Sequence, residues 1–434
     1  MNARALAVQA LVRQEQSGYS NLVLDAALKK SDLPARERGF ASAVFYGVVE
    51  RQITLDHCLA QCVKKPLKKL DAPVRAILRS GLYQARYLDT PVSAAVNESV
   101  KLTRAFGKAS AAGFVNAVLR RAVQIQPEQG KFSSEAQRLS VLYSVSLPVA
   151  KFFLDTYPQE AEALLEASFQ RPAVAVRPNP LRTTAQQLEQ MLKGEGCSVQ
   201  PGWVPGSLLV QFRGSPADTE AFRQGLFHVQ GQASQLAALC LDAQPGQKAA
   251  DLCAAPGGKS LTIAQQMGGQ GRLYSRDAAE NRVPLIRQAA QRCGLENVTV
   301  SPADASAYDE ALAGCDRVLC DVPCTGLGTL AKKPDIRYKD LQDLEPLHAL
   351  QRRILETASR YVLPGGKLVY STCTLDPAEN QQVVSDFLAQ HPEYRICPPA
   401  LVPPGALLDQ QMMTILPSRT PGFDGFFIAT LERL

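Results

Sequence analysis

The chain has 434 residues, 46% of them hydrophobic and 20% charged, with a formal net charge of +6. That length leaves room for two or three domains, each with its own core, and the composition is that of an ordinary globular protein. The apolar runs fall well short of the ~20 residues that a bilayer span needs. Met1–Glu15 carries Arg4 and Arg13 on a helical pattern, without the apolar core and cleavage site of a signal peptide. Eleven cysteines, an odd number scattered along the chain, fit reduced thiols. A cytoplasmic protein with no membrane partner is expected.

The charge is unevenly spread. Residues 1–130 hold 19 Lys and Arg against 10 Asp and Glu, a net +9, while the remainder holds 28 against 31, a net −3. A basic segment on a near-neutral remainder suggests an attached module for a polyanion. Its sharpest piece is Lys64-Lys65-Pro66-Leu67-Lys68-Lys69.

From Ala3 to about Gln124 apolar residues recur at helical spacing, as in Val44, Phe45, Val48 and Val49, or Val74, Ile77, Leu78 and Leu82. Pro34, Pro66, Pro91 and Gly107 punctuate the pattern, which predicts an all-α domain over 1–130 with the lysine run on an interhelical loop. His57, Cys58 and Cys62 lack a second ligand pair nearby, so no metal is expected there. A polar linker over 126–137 leads into helical sequence from Leu139 to Phe169. Strand-like stretches at Ala173–Arg177, Leu208–Phe212 and Leu226–Gln230, with a helix over Thr184–Gly194, make a small α+β connector within 131–232. Trp203, the one tryptophan, reads as a packing or surface residue.

Over 233–434 strands and helices alternate. Strands are predicted at 248–253, 272–277, 298–303, 316–321, 367–372 and 426–431, and helices at 233–242, 258–267, 281–292, 347–361 and 377–389. Parallel strands joined by helices form a Rossmann-like α/β sheet, with ligand groups at the carboxyl ends of the strands. The first strand breaks into Ala254-Ala255-Pro256-Gly257-Gly258 and then a helix from Lys259. Glycines there let the backbone approach a ligand, and a helix N-terminus offers free N–H groups to an anionic end. Asp277 ends the second strand, where an acid commonly holds ribose hydroxyls. Asp304 follows the third and is placed to accept a bond from an adenine amino group. Asp321-Val322-Pro323-Cys324 ends the fourth strand and Ser371-Thr372-Cys373 the fifth. If those two strands are neighbours, about 4.8 Å apart, the two cysteines flank one crevice beside Asp321.

Two readings compete at this point. Gly258-Lys259-Ser260 looks like the end of a Walker A loop, with Arg317–Asp321 as a Walker B strand. A P-loop, however, needs glycine where Cys253 stands, and Pro256 removes an N–H from the cradle. The alternative is a methyltransferase using S-adenosylmethionine, which gives the cysteines a chemical role. Carbon 5 of a pyrimidine is a poor nucleophile. A thiolate adding to carbon 6 makes the ring enamine-like, so that carbon 5 can take a methyl group; loss of the carbon-5 proton then expels the enzyme. The base must leave its stack to reach such a crevice.

Asp251-Leu-Cys-Ala-Ala-Pro-Gly-Gly-Lys259, Asp321-Val-Pro-Cys324, Lys333-Pro-Asp-Ile336 and Ser371-Thr-Cys373 together resemble the motifs of the Nol/Nop/Sun family of RNA cytosine-5 methyltransferases. His228-Val-Gln230, Ala233-Ser-Gln235 and Asp424-Gly-Phe-Phe427 are similar to its flanking motifs. Arg36-Glu-Arg-Gly39 and Asn116-Ala-Val-Leu-Arg120 resemble a NusB-like RNA-binding domain. The resemblance covers nearly the whole chain. It implies a class I methyltransferase domain over 233–434 acting on 16S ribosomal RNA as a monomer. It also implies a donor site lined by Cys253, Ala254, Ala255, Pro256, Gly257, Gly258 and Lys259, with Asp277 on the ribose and Asp304 by the adenine. Asp321 serves cofactor and target base, Cys373 is the nucleophile and Cys324 assists release. The readings of another class are a non-catalytic RNA-binding assembly factor and the ATPase. Two departures stand out: Thr325 follows the Pro-Cys pair where serine or a similar small residue is usual, a mild change, and Arg177-Pro-Asn-Pro180 replaces Arg-x-Asn-Thr. Two prolines fix that second turn and weaken an RNA-contact role for Asn179.

Overall fold

The computed structural model describes residues 2–17, 20–171 and 173–434, which fall into two compact units: Met1–Glu166 with Lys332–Leu341, and Ala167–Ala331 with Gln342–Leu434. Among the described residues no single helix is long and apolar enough to cross a membrane.

The first unit is helical among its described residues. Helix Ala72–Tyr87 starts with Pro73 in its first turn and buries Val74, Ile77, Leu78 and Leu82, the spacing read from the sequence. The lysine run forms a short turn with all four lysines exposed and only Leu67 buried. Inside the bundle Arg79 is held by Glu15 (2.5 Å) and Asp56 (2.6 Å), so its buried charge is paired on both sides. Segment Lys332–Leu341 packs here too: Ser20 Oγ donates to Asp335 (2.6 Å), Ser146 N to the Arg337 carbonyl (2.7 Å), and Tyr338 OH to the Val49 carbonyl.

The second unit holds two sheets. The smaller comprises β1 (Val174–Pro178), β2 (Ser198–Pro201), β3 (Leu208–Gln211) and β4 (Phe227–Val229) in the order β2-β3-β1-β4, all antiparallel. Helix Ala185–Gly194 covers it with Leu188 and Leu192, and a capping box of Thr184 with Gln187 sets its start. The strand β2 is absent from the sequence-based assignment; its pattern is mostly exposed, so no apolar alternation announces it. Asn179 is fully buried and donates to the carbonyls of Gly225 (3.1 Å) and Cys293 (2.9 Å), an architectural role.

The larger sheet contains β5 (Lys248–Asp251), β6 (Arg272–Asp277), β7 (Val298–Pro302), β8 (Cys315–Asp321), β9 (Val362–Thr372), β10 (Tyr394–Cys397), β11 (Leu407–Asp409), β12 (Met412–Ile415) and β13 (Phe426–Arg433). Its order is β11-β12-β13-β9-β8-β5-β6-β7, with β10 on the far half of β13. The five strands from β5 to β9 are parallel, with buried apolar runs such as Val318-Leu319-Cys320 and Leu368-Val369-Tyr370. One expectation needs correcting: β13 runs antiparallel to β9. It returns from β12 without a crossover helix, so its direction is reversed.

Candidate active site

Three loops at the carboxyl ends of β5, β8 and β9 build the site. After β5 the chain turns through Leu252–Gly257 into helix Gly258–Gln266, whose start has no side-chain cap. Gly257 sits at φ +110, where a side chain is strained, and a Cβ there would lie 3.3 Å from the Ile286 backbone. The turn is tied to the next strand: Ala254 N donates to the Arg276 carbonyl (2.8 Å) and Ala255 N to Asp277 Oδ2 (2.9 Å). Asp277, which is buried, also accepts from Ala279 N (3.0 Å). A carboxylate has about four acceptor sites, so these bonds leave room for hydroxyl donors. Asp304 is exposed just beyond β7, and both of its bonds, from Ser306 N (2.9 Å) and Oγ (2.8 Å), fall on Oδ1. Those bonds hold its carboxyl below the usual range. Cys253 and Gly258 are half-buried, and Gly257 is buried beside the exposed Pro256.

Lys259 leaves this turn toward β8. Its Nζ meets Asp321 Oδ2 at 2.5 Å, and Asp321 Oδ1 accepts from Ser371 Oγ (2.8 Å) at the end of β9. Burial alone would push the ammonium down. The Asp321 carboxylate outweighs it and holds Lys259 above the ordinary lysine value, with a smaller contribution from Cys373. Deeper in the same loop Ser260 Oγ donates to Asp251 Oδ2 (2.6 Å). Burial pushes the Asp251 carboxyl up to about 7.

The register Asp321↔Ser371 makes β8 and β9 parallel neighbours. Cys324 Sγ and Cys373 Sγ, 49 residues apart in the chain, then lie 3.4 Å from one another. The hydrogen bond with Cys373, followed by burial, pushes the Cys324 thiol well above its usual range. Gly328 N donates to the Cys373 carbonyl (3.0 Å), in a place where a Cβ on Gly328 would stand 2.0 Å from the Gly425 carbonyl. The Asp424-Gly-Phe-Phe427 motif therefore packs directly on the loop carrying Cys324.

Most of the residues expected at the site thus share one end of the sheet. The Lys333-Pro-Asp-Ile336 motif does not join them through its own contacts; it belongs to the helical unit. His228 lies buried under the glycine turn, bonded to Gln230 and Thr262, and burial lowers it to about 4, so it is a neutral support. Thr325, Thr374, Gln351 and Glu379 were not anticipated as a group; the one signal in the sequence is an acid, Glu379, just before a buried apolar helix. Among the described residues no group of three or more His, Cys, Asp or Glu is placed to hold a metal ion.

A parallel sheet of this order, closed by an antiparallel last strand and carrying an uncapped glycine turn beside two strand-end acids, defines a Rossmann-like methyltransferase domain. Three family models match in succession: "NusB family" over residues 1–124, "Methyltr_RsmF/B-like, ferredoxin-like domain" over 150–213, and "16S rRNA methyltransferase RsmB/F" over 238–432. The chain is 36% identical to the probable ribosomal RNA small subunit methyltransferase B of Synechocystis, covering 96% of each chain. It is 35% identical to ribosomal RNA small subunit methyltransferase B of Thermus thermophilus, covering 99% of this chain and 98% of the relative. The crystal structure of PH0851 superposes with a TM-score of 0.83 at 26% identity, over 100% of this chain and 99% of that one. A methyltransferase homologue from Pyrococcus horikoshii matches with a TM-score of 0.62 at 28% identity, over 70% of this chain and 100% of its own. The chain belongs to the RsmB/F family of rRNA methyltransferases.

Proposed function

We propose that this chain methylates carbon 5 of a cytosine in 16S ribosomal RNA, with S-adenosylmethionine as donor, as a monomer with domains over 1–130, 131–232 and 233–434. The observation that carries the reading is the pair of sulfurs 3.4 Å apart at neighbouring strand ends, beside the Lys259–Asp321 pair. Bound at the glycine turn, S-adenosylmethionine supplies an electrophilic methyl group. The residues Cys253–Lys259 line its site, with Asp277 and Asp304 toward its nucleoside.

Cys373 acts as the thiolate, with the Lys259 ammonium favouring its charged form. It adds to carbon 6 of the cytosine, and the electron pair moves to make carbon 5 nucleophilic. Asp321, fixed by Lys259 and Ser371, is placed to hydrogen-bond the base edge. After carbon 5 has taken the methyl group, Cys324 removes the carbon-5 proton, and the electrons of that bond expel Cys373. The order of events follows from the electrostatics. Cys324 is pushed up first of all by its bond with Cys373. Once Cys373 is a neutral thioether that interaction is gone, and Cys324 releases its thiol proton to water more readily, leaving a thiolate that takes up the carbon-5 proton. The basic first unit, with Lys64, Lys65, Lys68 and Lys69 exposed, offers counter-charges for the RNA backbone.

The test is methylation of 16S rRNA followed by bisulfite sequencing, with rRNA from cells lacking the protein as substrate. Cys373→Ala abolishes transfer while donor binding by calorimetry stays near wild type. Cys324→Ala accumulates a gel-stable RNA adduct. Retained turnover in the first variant, or no adduct in the second, refutes the assignment of roles.

A further inference from the structure

Each cysteine of the pair is followed by a threonine, and the chemistry above uses neither. Beyond the last paired positions of β8 and β9 the strand ladder ends, and besides the main-chain bonds Val322 N to the Ser371 carbonyl (3.0 Å) and Gly328 N to the Cys373 carbonyl (3.0 Å), side chains link the two loops. Thr325 Oγ1 and Thr374 Oγ1 are 2.7 Å apart. The Thr325 hydroxyl has one hydrogen and gives it to Glu379 Oε1, so between the threonines Thr374 is the donor. Glu379 Oε2 accepts from Thr325 N (2.9 Å) and from Gln351 Nε2 (2.8 Å), and Gln351 Nε2 also reaches the Pro323 carbonyl (2.9 Å). Asn380 completes the frame: its Nδ2 donates to the Thr374 carbonyl (3.1 Å) and its Oδ1 accepts from Thr372 Oγ1 (2.6 Å). Glu379 is wholly buried. A buried carboxylate is expensive unless donors surround it, and the donors named here come from the loop of Cys324 and from the helix behind it.

We propose that Glu379 is a positioning residue for methyl transfer: through Thr325 and Thr374 it locks the loop of Cys324 to the loop of Cys373 and sets the distance between the sulfurs. Its fit is specific. An acceptor-only carboxylate meets two N–H groups and a hydroxyl, whereas glutamine must turn an NH2 toward one side. The hydroxyl can then reverse its bond, so Glu379→Gln is a partial replacement. The Glu379 charge adds to the upward push on Cys324, behind the Cys373 bond and burial.

The proposal rests on the methylation reading only for its consequence in turnover; the clamp can be tested without RNA. The full chain, with Glu379→Gln, Glu379→Ala and Thr374→Val, is treated with diamide, which takes up the two thiol hydrogens as a disulfide forms. The Cys324–Cys373 crosslink is timed by peptide mass spectrometry. Wild type crosslinks fastest, and Thr374→Val and Glu379→Ala are slower by about 10-fold or more, since a 1 Å misplacement can lower a rate by about 100-fold. In single-turnover methylation the same variants lose rate with donor affinity unchanged, and Glu379→Ala accumulates the covalent RNA adduct, as Cys324→Ala does. Glu379→Gln lies between. If Glu379→Ala does not fold, Thr374→Val carries the test, because it removes one hydroxyl and keeps the shape. Wild-type crosslinking in both Thr374→Val and Glu379→Gln overturns the clamp. A wild-type protein inactive on every 16S rRNA substrate overturns the methylation reading and leaves the crosslinking result standing.

Discussion

Replacing Lys259 by methionine keeps the length of the side chain and deletes its charge. The ammonium and the Asp321 carboxylate meet at 2.5 Å with side chains 13% and 24% exposed. Two unit charges 4 Å apart in an effective dielectric of about 20 attract by about 4 kcal/mol, and removing one partner of a buried pair costs about 3–5 kcal/mol. Asp321 retains Ser371 and some contact with water, so a loss of about 2–3 kcal/mol is expected. Trp203, with its ring centroid 6.0 Å from that of Phe423, lets fluorescence-detected urea unfolding report on the second unit. A cycle with Asp321→Asn isolates the pair, with an expected coupling of about 2 kcal/mol. Because the Lys259 value is raised, its contribution is fully present below the ordinary lysine value of about 10.4 and is lost as pH rises through the folded one. The difference between wild type and Lys259→Met thus stays flat through neutral pH and closes only in alkali. Methyl transfer by the variant shifts to higher pH, as the Cys373 thiolate loses its neighbouring cation. A loss below about 0.5 kcal/mol, or additive effects in the cycle, refutes the role given to the pair.

Two further outcomes follow from the same loops. Gly328→Ala drives a Cβ into the Gly425 carbonyl and loosens the bond from residue 328 to the Cys373 carbonyl. Methyl transfer falls with little change in donor affinity by calorimetry, and stability drops by about 1–3 kcal/mol. Asp251→Asn removes a carboxyl raised to about 7. Between the unfolded value near 3.9 and that folded value, the folded state holds a proton that the unfolded state has lost. Wild-type stability therefore falls as pH rises through this window, by at most about 1.4 kcal/mol per pH unit. Urea midpoints at pH 5 and pH 8 should lie closer together in the variant, and equal slopes in both proteins would count against the burial argument.

Much of the architecture was written in local pattern. The helical spacing of Val74, Ile77, Leu78 and Leu82 needs no tertiary information, because one face of a helix must be apolar to be buried. The strands ending at Asp321 and Thr372 were legible for a related reason. They are buried on both faces, so each reads as an apolar run stopped by a polar residue. By contrast, β10, β11 and β12 are three or four residues long, and nothing in so short a segment fixes its partner.

What the sequence determined by itself was the set of chemical groups at the strand ends and the backbone freedom at Gly257, since both depend on residue type and near neighbours alone. The meeting of Cys324 with Cys373 depended on which strands lie side by side, and the reversal of β13 on the route the chain takes after β12. The attachment of Lys332–Leu341 to the helical unit and the placing of Glu379 behind both cysteine loops were likewise decided only in three dimensions. Such contacts join residues far apart in the chain, and their free energy comes from packing and desolvation that exist only once the whole fold has closed around them.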